Sequence, residues 1–441
     1  MRLVTSPASR LLIAGLTTGL AATFLLSVPA QAAAPAAPGN FTGLGFDACV
    51  APSQKVMDAW NTRSPYSAVG IYVSGTSRYC GDRYQPNLSK AWVARNAANG
   101  WRFLPIHVGR QSPCFKNNPN SRVQKKRMSS ATTTARAQGV ADAAETIGAL
   151  VKYGFPKGST SYLDLEWYAR TAKCDAAVLS FAGGWTDYLH TRGYSSGVYG
   201  SGSAAIAVID AARKAKRPGF TVPDHMWIAW TNKIADTDGG PYLADNGWTH
   251  HQRIHQFHNG VDQTYGGYRI NLDKNYLDVG KGSVATKESR PCGVRMSFAS
   301  YPSLRVGSKG PQVAALQCLL RRQGVKKSVT QIFGSGTSKA IDAFRRKKGW
   351  KPIGRTTRST WTALLASGSR PRVLKLGSVG EPVWRLQEAL TAAGLSLSNT
   401  GVYDAKTVAA VRKYRKVRHA SAYDTATSSV WTLLQAGKTA P

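Results

Sequence analysis

The sequence predicts an α/β fold: a TIM-type barrel whose last three strands are helix-poor, followed by two small all-α modules of three helices each. Three observations lead there. Short β-prone runs alternate with helical patterns through the first five strands, the signature of parallel βα units. The helical patterns then fade, because 232–252 and 259–268 are polar and Gly-rich. Finally, after a polar linker, one set of residues recurs at a fixed offset of 70.

Taken in order, residues 1–32 read as a secretory signal peptide: Arg2 and Arg10, an apolar run from Leu11 to Val28, then Ala30-Gln31-Ala32. The barrel is expected over 41–282. Its strand candidates are Gly43–Asp47, Ala68–Ser74, Arg102–Val108, Ser161–Glu166, Ser195–Tyr199, Met226–Thr231, Arg253–Phe257 and Arg269–Leu272. Val140, Ala144, Ile147 and Val151 repeat at helical spacing, as do Ala177, Phe181, Trp185 and Leu189, with Gly154 and Gly193 as stops. A linker at 283–300 leads to modules at 301–368 and 371–438.

Apolar residues make up 42% of the 441, enough for true cores and against wholesale disorder. Six cysteines in an exported chain point to disulfides. Cys49, Cys80, Cys114 and Cys174 each follow a strand, and adjacency favours Cys49–Cys80 and Cys114–Cys174; Cys292 and Cys318 stand apart and form a third pair. No C-x2-C spacing supports zinc. The formal charge is +35, and residues 291–441 hold 26 Lys and Arg against 5 Asp and Glu. Such a surface adheres to anionic wall polymers by charge alone. Nucleic acid is not the expected partner, since the basic clusters Arg345–Lys348 and Arg412–Arg418 sit on helices of a folded, exported repeat.

In βα barrels, function collects at the C-terminal strand ends. Those ends read Asp47, Tyr72, His107, Asp164 with Glu166, Tyr199, Trp230, Gln256 and Asp273. Asp164 and Glu166 share one face of a strand, roughly 6.5 to 7 Å apart along the chain. Two acids so close push their pKa values apart, which glycoside hydrolysis requires. An isolated D-x-E is weak evidence; four carboxylates beside aromatic and amide groups, with no nucleophile elbow, suit a saccharide. The spacing leaves inverting and retaining courses open. Tyr72, His107, Tyr199, Trp230 and Gln256 are the candidate substrate contacts. The long basic segment 109–134 reads as a lid over that end. His250, His251, His255 and His258 cluster, but residues four apart on a strand lie about 13 Å from each other. No metal and no cofactor are expected.

Gly45-Phe46-Asp47-Ala48-Cys49, Gly70-Ile71-Tyr72, Leu163-Asp164-Leu165-Glu166, Gly197-Val198-Tyr199, Trp227-Ile228-Ala229-Trp230, His255-Gln256-Phe257 and Leu272-Asp273-Lys274-Asn275 fall in a recognisable order. On these, the barrel resembles the actinobacterial glycoside-hydrolase-like domain, a relative of the family 25 lysozymes. The resemblance implies Glu166 as general acid, with Asp164, Asp47 and Asp273 holding or stabilising the reacting sugar.

The repeat aligns Leu304-Arg-Val-Gly307 with Leu374-Lys-Leu-Gly377, Leu316-Gln317 with Leu386-Gln387, Phe333 with Tyr403, Phe344 with Tyr414 and Trp361 with Trp431. Both copies resemble the three-helix peptidoglycan-binding module. They depart where Arg345 and Arg415 replace a Gln, which shifts weight toward electrostatic adhesion. Two functions follow. One is a secreted, cell-wall-associated, muramidase-like glycosidase tethered to peptidoglycan; the other is a non-catalytic saccharide-binding wall protein. Either is expected to be a monomer, free of the membrane after signal cleavage.

Overall fold

The computed structural model describes residues 34–81, 85–121, 125–371, 373–421 and 423–440. The signal-peptide expectation at 1–32 lies outside them. Eight strands close into a barrel in chain order: β1 (Phe41–Asp47), β2 (Ala68–Ser74), β3 (Arg102–His107), β4 (Thr160–Leu165), β5 (Ser195–Ser201), β6 (His225–Ala229), β7 (Gln252–Tyr265) and β8 (Tyr268–Val279). Helices α1 (Gln54–Arg63), α2 (Lys90–Ala98), α3 (Thr132–Tyr153), α4 (Ala172–Thr191) and α5 (Ala207–Lys214) cross over the first six strands. No α-helix separates β6 from β7, as the polar spacer predicts, and β7–β8 is an antiparallel hairpin. β8 therefore runs against β1 too, pairing Asp47 with Asp273. Asp273 is thus a mid-strand residue of a reversed strand, not the strand end expected from sequence. It still reaches the rim, because reversal brings it level with the C-terminal end of β1.

Strand parity sorts the core. Phe41, Leu104, Ile106, Tyr162, Trp227, Ile254 and Leu277 fill the barrel interior. Phe46, Ile71, Leu163, Val198 and Ile228 point outward under the helices. α3 and α4 approach closely because both carry glycine at the crossing: a Cβ on Gly139 would meet the Phe181 carbonyl oxygen at 2.1 Å. Burying these outward rows removes apolar surface worth roughly 25 cal/mol per Å2.

The C-terminal third is a structural repeat. α6 (Pro311–Arg322), α7 (Ser335–Lys347) and α8 (Arg358–Leu365) recur 70 residues later as α9 (Glu381–Ala392), α10 (Ala405–Val417) and α11 (Ser428–Gln435). Gln317 and Gln387 play one part in each: the side chain donates to the carbonyl oxygen of Ile332 or Val402 and accepts the N–H of Thr330 or Thr400. Arg345 and Arg415 correct the adhesion expectation. Both are buried. Arg345 donates to Lys351 O and Thr360 Oγ1, and Arg415 to Thr425 O and Thr427 Oγ1, so each closes its own loop and cannot grip a polymer.

The second repeat sits beneath the barrel. Lys375 is buried and donates to the carbonyl oxygens of Tyr66 and Asn61, lying 4.9 Å from the centre of the Trp101 ring. Gly377 abuts Phe41 and Thr42 so closely that a Cβ would meet Thr42 O at 2.4 Å. Phe41 and Thr42 open β1, Asn61 lies in the last turn of α1, and Tyr66 and Trp101 just precede β2 and β3, all at the end of the barrel where those strands begin. The linker tracks the same repeat: Ser283 Oγ donates to Gly377 O, and Thr286 O accepts from Trp384 Nε1.

Candidate active site

At the opposite, C-terminal end of the strands lies a groove of about 480 Å3, lined by Asp47, Tyr72, Lys125, Asp164, Glu166 and Asp273 among others. The elements explain the convergence. Asp47, Tyr72, Asp164, Tyr199, Gln256 and Asp273 all have the inward parity of the interior residues on their own strands. Glu166 follows β4 by one residue and keeps the parity of Asp164, but emerges from the barrel. Its side chain is 40% exposed, whereas Asp47 is 2% exposed.

Asp47 is held from three sides. Tyr72 Oη donates to Oδ1 at 3.2 Å, and Asn275 Nδ2 (2.7 Å) and Gln256 Nε2 (3.3 Å) donate to Oδ2. Gln256 Nε2 also lies 3.5 Å from Asp273 Oδ2, and Gln256 Oε1 accepts from Tyr199 Oη. Asp273 takes the N–H of Gly260 at 2.6 Å, supplied by an irregularity in the β7–β8 ladder between His258 and Val261. Burial, and then the charge of Asp273, raise the Asp47 carboxyl to about 7, against the lowering effect of its three donors. Burial raises Asp164 further, to about 8, helped by the charge of Glu166 and opposed by Lys125. Asp164 Oδ1 is buried with no hydrogen-bond partner among the described residues. Burial also raises Asp273, with Glu166 adding to it. At neutral pH this end of the barrel keeps protons that carboxyls in water would lose.

Three contributors were not singled out from sequence. Asn275 has inward parity two residues from Asp273 and accepts from Trp227 Nε1, so alternation along β8 could have found it. Gln111 and Lys125 come from the 109–134 segment, and no local signal marks them. Gln111 clamps the β4 exit: Nε2 donates to Asp164 O at 2.9 Å, and Oε1 accepts the Glu166 N–H at 2.8 Å. Lys125 forms an ion pair with Glu166. The segment reaches the groove in this way, and is itself tied by Gln111–Lys126 and Gln111–Met128 backbone hydrogen bonds and by the Cys114–Cys174 disulfide. Cys49–Cys80 closes the loop pair on the β1–β2 side, and Cys292–Cys318 pins the linker to α6.

Two expected substrate contacts lie elsewhere. His107 has outward parity and is fully buried: Nδ1 is 2.8 Å from Ser74 Oγ, Nε2 is 3.4 Å from Asp142 Oδ2 of α3, and the ring packs on Trp185 of α4. Trp230 also leaves its strand outward, stacked on His255 and edge-on to Tyr242. Being at a strand's C-terminal end did not place them in the groove; parity decided. The histidine cluster is occupied structurally, with His251 on Asp278 and His255 on Trp230 O and Asp236. Among the described residues no group of three His, Cys, Asp or Glu is placed to hold a metal ion.

Residues 58–277 match the family model described as Rv2525c-like, glycoside hydrolase-like domain. The barrel is an Rv2525c-like, glycoside hydrolase-like domain. Residues 309–364, within the first repeat, match a putative peptidoglycan binding domain. Among curated proteins, none matches this chain. Solved structures similar to the glycoside hydrolase-like domain include an uncharacterized B. stearothermophilus protein, 14% identical over 53% of this chain and 95% of that one, TM-score 0.36. The Mycobacterium tuberculosis Tat-secreted protein Rv2525c in complex with L-tartrate is 14% identical over 54% and 95%, TM-score 0.37. The Clostridium perfringens spore cortex lytic enzyme SleM is 16% identical over 54% and 67%, TM-score 0.34.

Proposed function

We propose that the protein is an exported, wall-associated glycosidase that hydrolyses peptidoglycan or a related glycan. The observation that carries this is the gathering of Asp47, Asp164, Glu166 and Asp273 around one open groove, two of them raised to about 7 and about 8. Glu166 is the acid a bound glycan meets first. Beside it Asp164, raised to about 8 by burial, holds a proton at neutrality. A glycan that displaces Lys125 lets that proton reach the glycosidic oxygen as the C–O bond breaks, while a water held in the groove supplies hydroxide to the anomeric carbon and its proton to a carboxylate. Tyr72, Tyr199, Gln256 and Asn275 position Asp47 and Asp273, whose charge steadies the oxocarbenium-like transition state. The peptidoglycan-binding match supports tethering, which raises effective concentration at an insoluble substrate. The test is dye release from labelled walls by the full chain beside E166Q and D164N. Release that falls in both variants supports the enzyme; equal, negligible release from all three, with wall binding retained, leaves a saccharide-binding protein.

A further inference from the structure

The molecule has a second open cleft, larger than the first and remote from the carboxylates. It measures about 770 Å3 and lies between the linker and the second repeat, where Arg295, Phe298, Ser398, Asn399, Lys406 and Lys413 bound it. Its walls are built. The linker side is fixed by Glu288, whose carboxylate accepts the N–H groups of Met296 and Ser297, and by Tyr301 Oη donating to Met296 O. Asn399 Nδ2 donates to Ser297 Oγ at 2.9 Å and joins the two walls. The Cys292–Cys318 disulfide restrains the linker upstream.

Its chemistry is one-sided. Three cations line the cleft and no carboxylate does. Asp404, beside Lys406, turns back to cap α10 through the Thr407 N–H. Lys406 and Lys413 are seven residues apart, two helical turns or about 10.5 Å along one face of α10, with Ala409 and Ala410 leaving the floor between them low. The first repeat does not share this: at the same offset it carries Gly336 and Ala343. The charges therefore belong to this cleft and not to the module's common core.

We propose that this cleft binds a phosphodiester-linked polyol chain, an anionic polymer without bases. Two single-charge lysines about 10.5 Å apart along α10 suit separate phosphates of one chain, and the serine and Asn399 side chains suit polyol hydroxyls. Phe298, the one aromatic ring of the lining, is covered by Arg295 at 5.7 Å, so no free stacking platform for bases is present. The proposal does not rest on any activity of the barrel.

The test titrates fluorescent poly(glycerol phosphate) into the full chain, into K406E/K413E, and into K339E/R346E. The last pair makes the same charge change at the same spacing on the sister helix α7. All four side chains are exposed, and unchanged circular dichroism and melting confirm folding. The expected result is at least a tenfold loss of affinity in K406E/K413E and less than a threefold change in K339E/R346E. Equal losses in both, or no loss in either, would overturn the site and leave adhesion by net charge. Single-stranded DNA and poly-glutamate of matched charge serve as competitors. Displacement by either as effective as by unlabelled polymer would overturn the ligand class.

Discussion

Glu166 stands half-exposed beside the buried Asp47 and Asp164, so the proposed chemistry makes sharp demands on single atoms. E166Q is expected to lower wall dye release by about 100-fold or more, the usual loss when a positioned acid is removed. Lys125 tests the electrostatics. Its charge holds the Asp164 carboxyl down from where burial and Glu166 would put it. K125M should therefore move the alkaline limb of the activity profile upward, and a profile that stays put would separate Lys125 from the pair. Stability follows the same carboxyl. Asp164 is raised in the folded protein from 3.8 to about 8, so its stabilising contribution is complete below pH 3.8 and is lost as pH climbs to about 8. D164N abolishes that slope. Its Tm relative to the parent should be a few degrees more favourable at pH 8 than at pH 5, read by calorimetry. At this scale the sequence exposed the four carboxylates, because D-x-E and the Asp-bearing strand ends are local patterns. It misplaced His107 and Trp230, since a terminal residue can leave either face of a strand.

Between the strands, Gln111 binds the β4 exit at two backbone points, on either side of Leu165. Replacing it by Leu removes both bonds and leaves a buried carbonyl and N–H without partners, a loss of about 1–3 kcal/mol for each group. Because the β4 exit sets where Glu166 projects, Q111L should lower the maximal rate of wall release more than the affinity for walls, while Q111E retains the bond from the Glu166 N–H. A purely structural role would instead lower yield and Tm with kinetics unchanged. The strands, crossover helices and helix-poor end of the barrel were legible from periodicity and from the polar spacer after β6. The reversal of β8, made at the Gly266-Gly267 turn inside a segment read as loop, was not, nor was the clamp by Gln111, which joins residues more than fifty apart.

The fixed offset of 70 made the tandem modules plain, yet nothing in it distinguished their fates. Lys375 in the second copy is buried under the barrel, while its counterpart Arg305 in the first is exposed. K375E should therefore detach the barrel, seen as a larger radius of gyration in small-angle scattering and a separate melting transition, and R305E should change neither. Burial lowers the Lys375 amine to about 7. A depressed amine stabilises above its unfolded value near 10.5 and loses that contribution as pH falls through about 7, so docking should weaken in mild acid. A lysine in so basic a region reads as surface, which is why this seat was invisible from composition.

The seat of Lys375 also fixes a direction. Acids crown one rim of the barrel and the second repeat grips the other, so the stave length, about 20 Å for seven residues, stands between foothold and blade. A protein so built would trim strands that rise beyond its perch while sparing the one on which it stands.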